Sequence, residues 1–242
     1  MISTTLILKT LDEAINKCQH REGYLTPKQR GAVKPTSAEQ EFIDNFDSSS
    51  YTEGDTEQFY TDAKIQEEYY YNGKEHLGLM GFSKDEINAV ENWGDEGYEE
   101  INGKIYNTKT YKKWKKDGLL DDEIIDKWIA NLDSAIETGP DIQRDMLLFR
   151  EGHWVKGIMK GDTIEQKGYA STSYDEEEAK GWGDSNRYNI KYYVPKGTKG
   201  LWLSRPFDNL DEYEYLLGRN IRFYVLDVDD NHNTASVVVL PK

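Results

Sequence analysis

Apolar and polar positions divide the chain into a helical front and a β-rich back. Leu6, Leu8, Leu11, Ile15 and Cys18 recur near helical spacing, which predicts an amphipathic helix over 5–20. Residues 34–57 are polar, with Pro35, the run Ser48-Ser49-Ser50 and Gly54 among a few apolar positions (Phe42, Ile43, Phe46, Tyr51), and read as a loop or linker. A tyrosine-rich helix is expected over 58–72, and further helices near 84–93, 96–106, 108–117 and 121–137. From Asp145 strands dominate. Met146-Leu147-Leu148-Phe149, after the turn signal Gly139-Pro140, reads as a short buried strand. Residues 220–228 alternate as a half-buried strand does, and 235–240 return as the hairpin partner. Helices first and strands afterwards, without internal repeat, indicate an α+β fold.

Charge narrows the partners. With 30 basic and 45 acidic residues among 242, the formal charge is -15, a surface that repels nucleic acid and anionic membranes unless basic residues cluster. One cluster exists, Tyr111-Lys112-Lys113-Trp114-Lys115-Lys116; it reads as a solvated helix face, with RNA or an acidic protein as the functional alternative. The single Cys18 excludes an intramolecular disulfide, and His20, His76, His153 and His232 make no zinc pattern. Asp227-x-Asp229-x-Asn231 lacks the Gly and Glu of a calcium loop and is expected to be a hairpin turn, so no metal is expected. Neither a secretory leader nor a membrane-length apolar run is found, and the expectation is a soluble protein of the cytoplasm, in the producing or the target cell, with no membrane contact.

The candidate chemistry lies in the back half. Glu212 and Glu214 stand two apart in Asp211-Glu212-Tyr213-Glu214-Tyr215, and in an extended chain such residues share a face roughly 7 Å apart. A carboxylate pair there suits work on a glycosidic carbon; in so acidic a chain it also reads as a solvated face. Arg150 follows Phe149 and offers a fork of donors suited to phosphate, or a salt bridge to a nearby acid. Ser173, three residues before Glu176, reads as a capping box, leaving Ser171 and Thr172 to aim hydroxyls into a cleft. Gly181-Trp182-Gly183 either swings Trp182 over a ligand or buries it at a helix end.

In the order Phe149-Arg150, Ser171-Thr172-Ser173, Glu212-Tyr213-Glu214 and Leu216-Leu217, the chain resembles the arginine, serine, glutamate signature of exoenzyme-type mono-ADP-ribosyltransferases, a group that includes binary toxins, clostridial exoenzymes and phage-encoded enzymes. The likeness extends over roughly 75–242, through Phe82-Ser83-Lys84-Asp85-Glu86, Tyr98-Glu99-Glu100-Ile101-Asn102 and Val194-Pro195-Lys196-Gly197. It implies two small antiparallel β-sheets around an NAD cleft, a catalytic domain over 76–242, and a helical extension of unknown role over 1–75. NAD is then the substrate, no metal is needed, and ADP-ribose passes to a protein side chain, with E-x-E pointing to arginine.

By the motif match Glu214 grips the ribose and stabilises the developing cation, Ser171 orients it, Glu212 serves as general base and Arg150 clamps a phosphate. Thr172 and Ser173 support the fold, backbone groups at Glu151 and Gly152 hold nicotinamide, and Trp182 and Arg187 cover nicotinamide and phosphate. Tyr98 and Asn102 complete the NAD-binding set, while Phe207 and Tyr213 meet the acceptor. Two positions depart from the family: Glu151 where Gly is usual, and Ile105-Tyr106 where a Leu-Arg pair often touches phosphate. The competing expectations are water or RNA as acceptor, making a NAD glycohydrolase or an RNA modifier, and an inactive interaction module that kept the fold.

Overall fold

A computed structural model describes residues 31–51, 82–139, 141–152, 154, 157–180, 187–203 and 214–241. The helices expected at 5–20 and 58–72 lie outside these residues, as do Trp182, Phe207, Glu212 and Tyr213.

Side-chain caps set where all but one of the described α-helices begin, the exception being the helix that follows Gly97. Thr36 Oγ1 accepts from the Glu39 backbone N–H at 3.2 Å, and the Glu39 carboxylate accepts from Thr36 N–H at 2.6 Å. This capping box starts α1 (Ser37–Asp44), which follows the short strand β1 (Ala32–Val33). Within the loop expected over 34–57, the described residues 37–44 are therefore helical: the T-x-x-E signal outweighs the polar composition. Ser83 and Glu86 form a second box at the head of α2 (Lys84–Asn92), and Ser134 Oγ donates to Glu86 Oε1 at 2.6 Å, tying that cap to a later helix. A π turn over Trp93–Gly97 leads into α3 (Tyr98–Tyr106), followed by α4 (Lys109–Lys116) and α5 (Asp122–Thr138). These four helices fall within two residues of the positions expected. They share one buried cluster, in which Ile125, Leu132, Ala135 and Ile136 of α5 meet Ile87, Val90 and Ile101, and against which Tyr169, Leu201 and Leu216 pack from the strands. Truncating a core residue such as Leu132 would cost about 2–5 kcal/mol.

The strands are β2 (Met146–Gly152), β3 (Thr163–Gln166), β4 (Ala170–Ser173), β5 (Tyr188–Val194), β6 (Gly200–Trp202), β7 (Glu214–Leu217), β8 (Ile221–Asp229) and β9 (Thr234–Val239). They hydrogen-bond in the order β1-β3-β8-β9-β5-β2-β4-β7-β6. The two sheets implied by the resemblance are thus halves of one ladder, joined where Phe149 opposes Ser173, the one registered pair between β2 and β4. The β5–β9 pair runs parallel, so the larger half is mixed rather than antiparallel. A single buried cluster draws on both halves, with Leu148, Ile190, Tyr192, Val225 and Val237 from one and Ala170, Trp202, Tyr215 and Leu217 from the other.

The other face of the larger half is covered too. A short helix, α6 (Glu176–Ala179), places Ala179 against Leu147 and Phe149, and Tyr51 belongs to the same cluster. Phe46 and Tyr51 both meet Tyr193, at 5.5 and 5.4 Å between ring centroids, while β1 pairs with β3 and Glu39 pairs with Arg222 at 3.1 Å. Residues 31–51, read from sequence as part of the N-terminal extension, are therefore built onto the sheet. The cap of α6 also shifts from expectation. Asp175 accepts from the N–H groups of Glu177 and Glu178, while Ser173 ends β4 and its Oγ accepts from Asp175 N–H at 3.1 Å. Among the described residues no helix is long and apolar enough to cross a membrane.

Candidate active site

Arg150, Ser171 and Glu214 stand on β2, β4 and β7, three neighbours in the sheet. Phe149, Ser173 and Glu214 form one row across them. Past that row β2 and β4 make no registered pair, so Arg150, Glu151 and Gly152 flank one side of an opening and Ser171 the other. Across it Arg150 Nη1 donates to the Ser171 carbonyl at 2.6 Å. The arginine side chain runs over Gly152, where a Cβ would come within 2.9 Å of Arg150 Nε. Gly152 is thus the residue that makes room for the arginine, and any side chain there would push it away.

Glu214 opens β7 at 6% exposure, and its carbonyl accepts from Leu203 N–H at 2.9 Å. Ser171 opposes Leu216 and Ser173 opposes Glu214, so by strand alternation all four side chains leave the same face. Ser171 and Glu214 are diagonal neighbours, a relation that spans roughly 7–8 Å between backbones and lies within side-chain reach. Thr172 leaves the opposite face, where its buried hydroxyl donates to the Tyr215 carbonyl at 2.6 Å. Its hydroxyl is thereby committed to the β4–β7 ladder, not to a cleft.

The strands that carry Ser171 and Glu214 are anchored through α3 and α5. Asn102 Nδ2 donates to the Tyr169 carbonyl at 3.2 Å and its Oδ1 accepts from Tyr169 N–H at 3.1 Å, which uses both ends of the amide two residues before Ser171. Tyr169 in turn donates its hydroxyl to Asp133 at 2.6 Å, and burial together with that carboxylate pushes the phenol well above its ordinary range. Asp133 also takes a two-pronged contact from Arg219, at 2.9 and 2.6 Å, just past the end of β7. One carboxylate on α5 therefore holds the entry of the serine strand and the exit of the glutamate strand. None of this was legible locally, since the partners lie 36 and 86 residues apart.

Tyr106 completes this wall. Its hydroxyl accepts from Gly168 N–H at 2.8 Å, and a Cβ on Gly168 would meet both the Tyr106 ring and Asn102 Oδ1 at 2.5 Å. The position that departs from the family's Leu-Arg pair is thus occupied by a ring packed on the β3–β4 turn. Tyr98 is 45% exposed beside Trp93, and Arg187 directly precedes Tyr188, the register partner of Gly152. Glu151, half-buried, opposes Asn189. Asn102 sits on the expected helix, with its amide spent on Tyr169.

The chain and its fold have known relatives. The family pattern described as ADP-ribosyltransferase exoenzyme matches residues 62–240. A curated relative from Enterococcus faecalis (strain ATCC 700802 / V583), NAD(+)--arginine ADP-ribosyltransferase EFV, is 25% identical over 169 residues, 67% of this chain, and the match spans only 32% of that longer relative. C3stau2 from S. aureus, solved with NAD, superposes with a TM-score of 0.55 at 16% identity, over 78% of this chain and 97% of its own. The Vis toxin of Vibrio splendidus, solved as a complex with agmatine, superposes with a TM-score of 0.52 at 18% identity, over 81% of this chain and 91% of its own. With the pattern covering well over half its length, the chain belongs to the ADP-ribosyltransferase exoenzyme family.

Proposed function

We propose that the chain transfers ADP-ribose from NAD to the guanidino group of an arginine on a protein, releasing nicotinamide. The observation that carries the reading is the Arg150–Ser171 hydrogen bond across the opening between β2 and β4, with the buried Glu214 one strand further on. In the reaction the bond from the ribose anomeric carbon to the nicotinamide nitrogen breaks, its electron pair leaves with nicotinamide, and the sugar acquires oxocarbenium character. Contacts to the sugar 2-hydroxyl strengthen as that charge develops. A carboxylate at Glu214, oriented by Ser171, is suited to both tasks. Arg150 contributes a fixed cation for the pyrophosphate, and holding the dinucleotide in one pose removes much of the entropic barrier.

Glu212, two residues earlier, is assigned the acceptor proton. As the guanidino nitrogen bonds to the anomeric carbon, the carboxylate takes the proton it sheds, a role that demands proximity first. Trp182 and Arg187 are assigned to cover the bound nicotinamide half, with Glu151 and Gly152 at its floor and Tyr98 along the opposite wall. Phe207 and Tyr213 flank Glu212 in sequence and are assigned to the acceptor. Arginine as acceptor is supported by the name of the Enterococcus relative and by the agmatine complex of Vis, agmatine being a guanidino compound.

The test uses labelled NAD with agmatine as acceptor. Glu214→Gln should abolish both nicotinamide release and transfer, whereas Glu212→Ala should lose transfer and retain hydrolysis. NAD turnover unchanged in Glu214→Gln would overturn the site. Incubation with a cell lysate separates the acceptor classes: label removed by nuclease and not by protease would replace protein with RNA.

A further inference from the structure

Helix α4 carries a feature that the catalytic reading leaves unused. Lys109, Lys112, Lys113 and Lys116 are spaced i, i+3, i+4, i+7, which places them on one face of the helix. All four are exposed, and among the described residues none of them enters an ion pair. The opposite side is anchored, with Tyr111 buried against Gly103 and its hydroxyl bonded to Asp122. Lys115, off the stripe, is also bonded to Asp122, and Lys104 of α3 pairs with Asp126 at 2.6 Å. The neighbouring cations are thus neutralised internally while the stripe is not, in a chain whose formal charge is -15.

Such a stripe has a cost. Like charges at i, i+4 destabilise a helix by a few tenths of a kcal/mol per pair. The four ammonium groups extend along about 10 Å of helix axis, the repeat that an acidic helix would present in mirror fashion. Leu119, just past the helix, is 69% exposed and supplies an apolar contact beside the charges. A nucleic acid would bring phosphates on every side towards the acidic remainder of the surface; a protein helix brings acids on one face alone.

Along the chain the stripe begins close to the wall behind Ser171. Lys109 follows Tyr106 by three residues, at most about 11 Å of chain, and Tyr106 is hydrogen-bonded to Gly168 three residues before Ser171. We propose that the lysine face of α4 is an exosite that docks an acidic helix of the acceptor protein, outside the catalytic cleft. This inference rests on the protein-arginine reading above. It makes α4 a determinant of which proteins are modified, acting through encounter and KM, with no part in the chemistry.

The test compares wild type with K109Q/K112Q/K113Q/K116Q on three acceptors. These are agmatine and two synthetic helical peptides with one arginine each, one bearing Glu at i, i+3, i+4, i+7 and the other Gln. Wild type should favour the acidic peptide roughly tenfold in kcat/KM, the joint effect of a few exposed ion pairs. The preference should lie in KM, fade as salt shortens the screening length, and vanish in the variant, with agmatine turnover unchanged. Fluorescence anisotropy of the same labelled peptides measures docking without turnover, so a failure of arginine transfer leaves this test decisive. Equal binding of both peptides by wild type, or a preference that survives in the variant, overturns the exosite. A single-stranded RNA that displaces the acidic peptide more strongly than polyglutamate does would overturn it in favour of nucleic acid.

Discussion

The guanidinium of Arg150 donates to the backbone carbonyl of Ser171 at 2.6 Å, bridging two strands at the point where their own pairing stops. A backbone acceptor leaves the remaining guanidinium donors available, so the contact fixes the group's position while keeping its charge for a ligand. Arg150→Lys should keep the charge and lose the fork. NAD turnover is expected to fall by roughly 100-fold, the scale of a misplacement of about 1 Å, with the melting temperature within two degrees of wild type. Full activity in the lysine variant would mean that charge alone suffices.

Asn102 is expected to act through position. Its amide satisfies both backbone groups of Tyr169, and Asn102→Leu strands a partly buried donor and acceptor. The loss should be about 1–3 kcal/mol in urea denaturation. If Ser171 depends on this anchor, kcat should fall more than KM rises.

Gly168→Ala tests the close approach of α3 to the β3–β4 turn. The new methyl would sit 2.5 Å from the Tyr106 ring and from Asn102 Oδ1, and both side chains are held by hydrogen bonds. Destabilisation of about 1–3 kcal/mol is expected from overpacking. Combining it with Tyr106→Ala should recover part of that loss; strict additivity would show that the clash lies elsewhere.

Stability should also fall on a defined acid limb. Lys115 and Tyr111 hydrogen-bond Asp122 and hold its carboxyl down to about 2, from an ordinary value of 3.8. Because the folded value is the lower one, the contribution is complete above about pH 4 and disappears as pH falls through 2. Asp122→Asn should be less stable than wild type at pH 5 and approach it near pH 2.5, as followed by urea midpoints. A constant gap across that range would exclude ionisation as the cause.

Some of the molecule could be read one residue at a time. Helices α2, α4 and α5 were legible because each combines a cap with spaced apolar positions, α3 through its apolar spacing without a side-chain cap, and the hairpin of β8 and β9 because alternation is a local property. α1 was readable in principle through Thr36 and Glu39, yet polar composition masked it. β3 carries only four residues and a partner 55 or more positions away, so nothing local marks it.

The site divides along the same line. Arg150, Ser171 and Glu214 could be nominated from the sequence because those residue types in that order resemble the family's signature. Which neighbours hold them was decided only by tertiary structure: Asn102 on Tyr169, Asp133 shared between Tyr169 and Arg219, and Tyr106 against Gly168. Caps and alternation are settled by neighbours within a turn or a pleat. Contacts between residues 36 to 86 apart exist only once loop closure has brought α5, β4 and β7 together, and no local pattern encodes which distant partner will arrive.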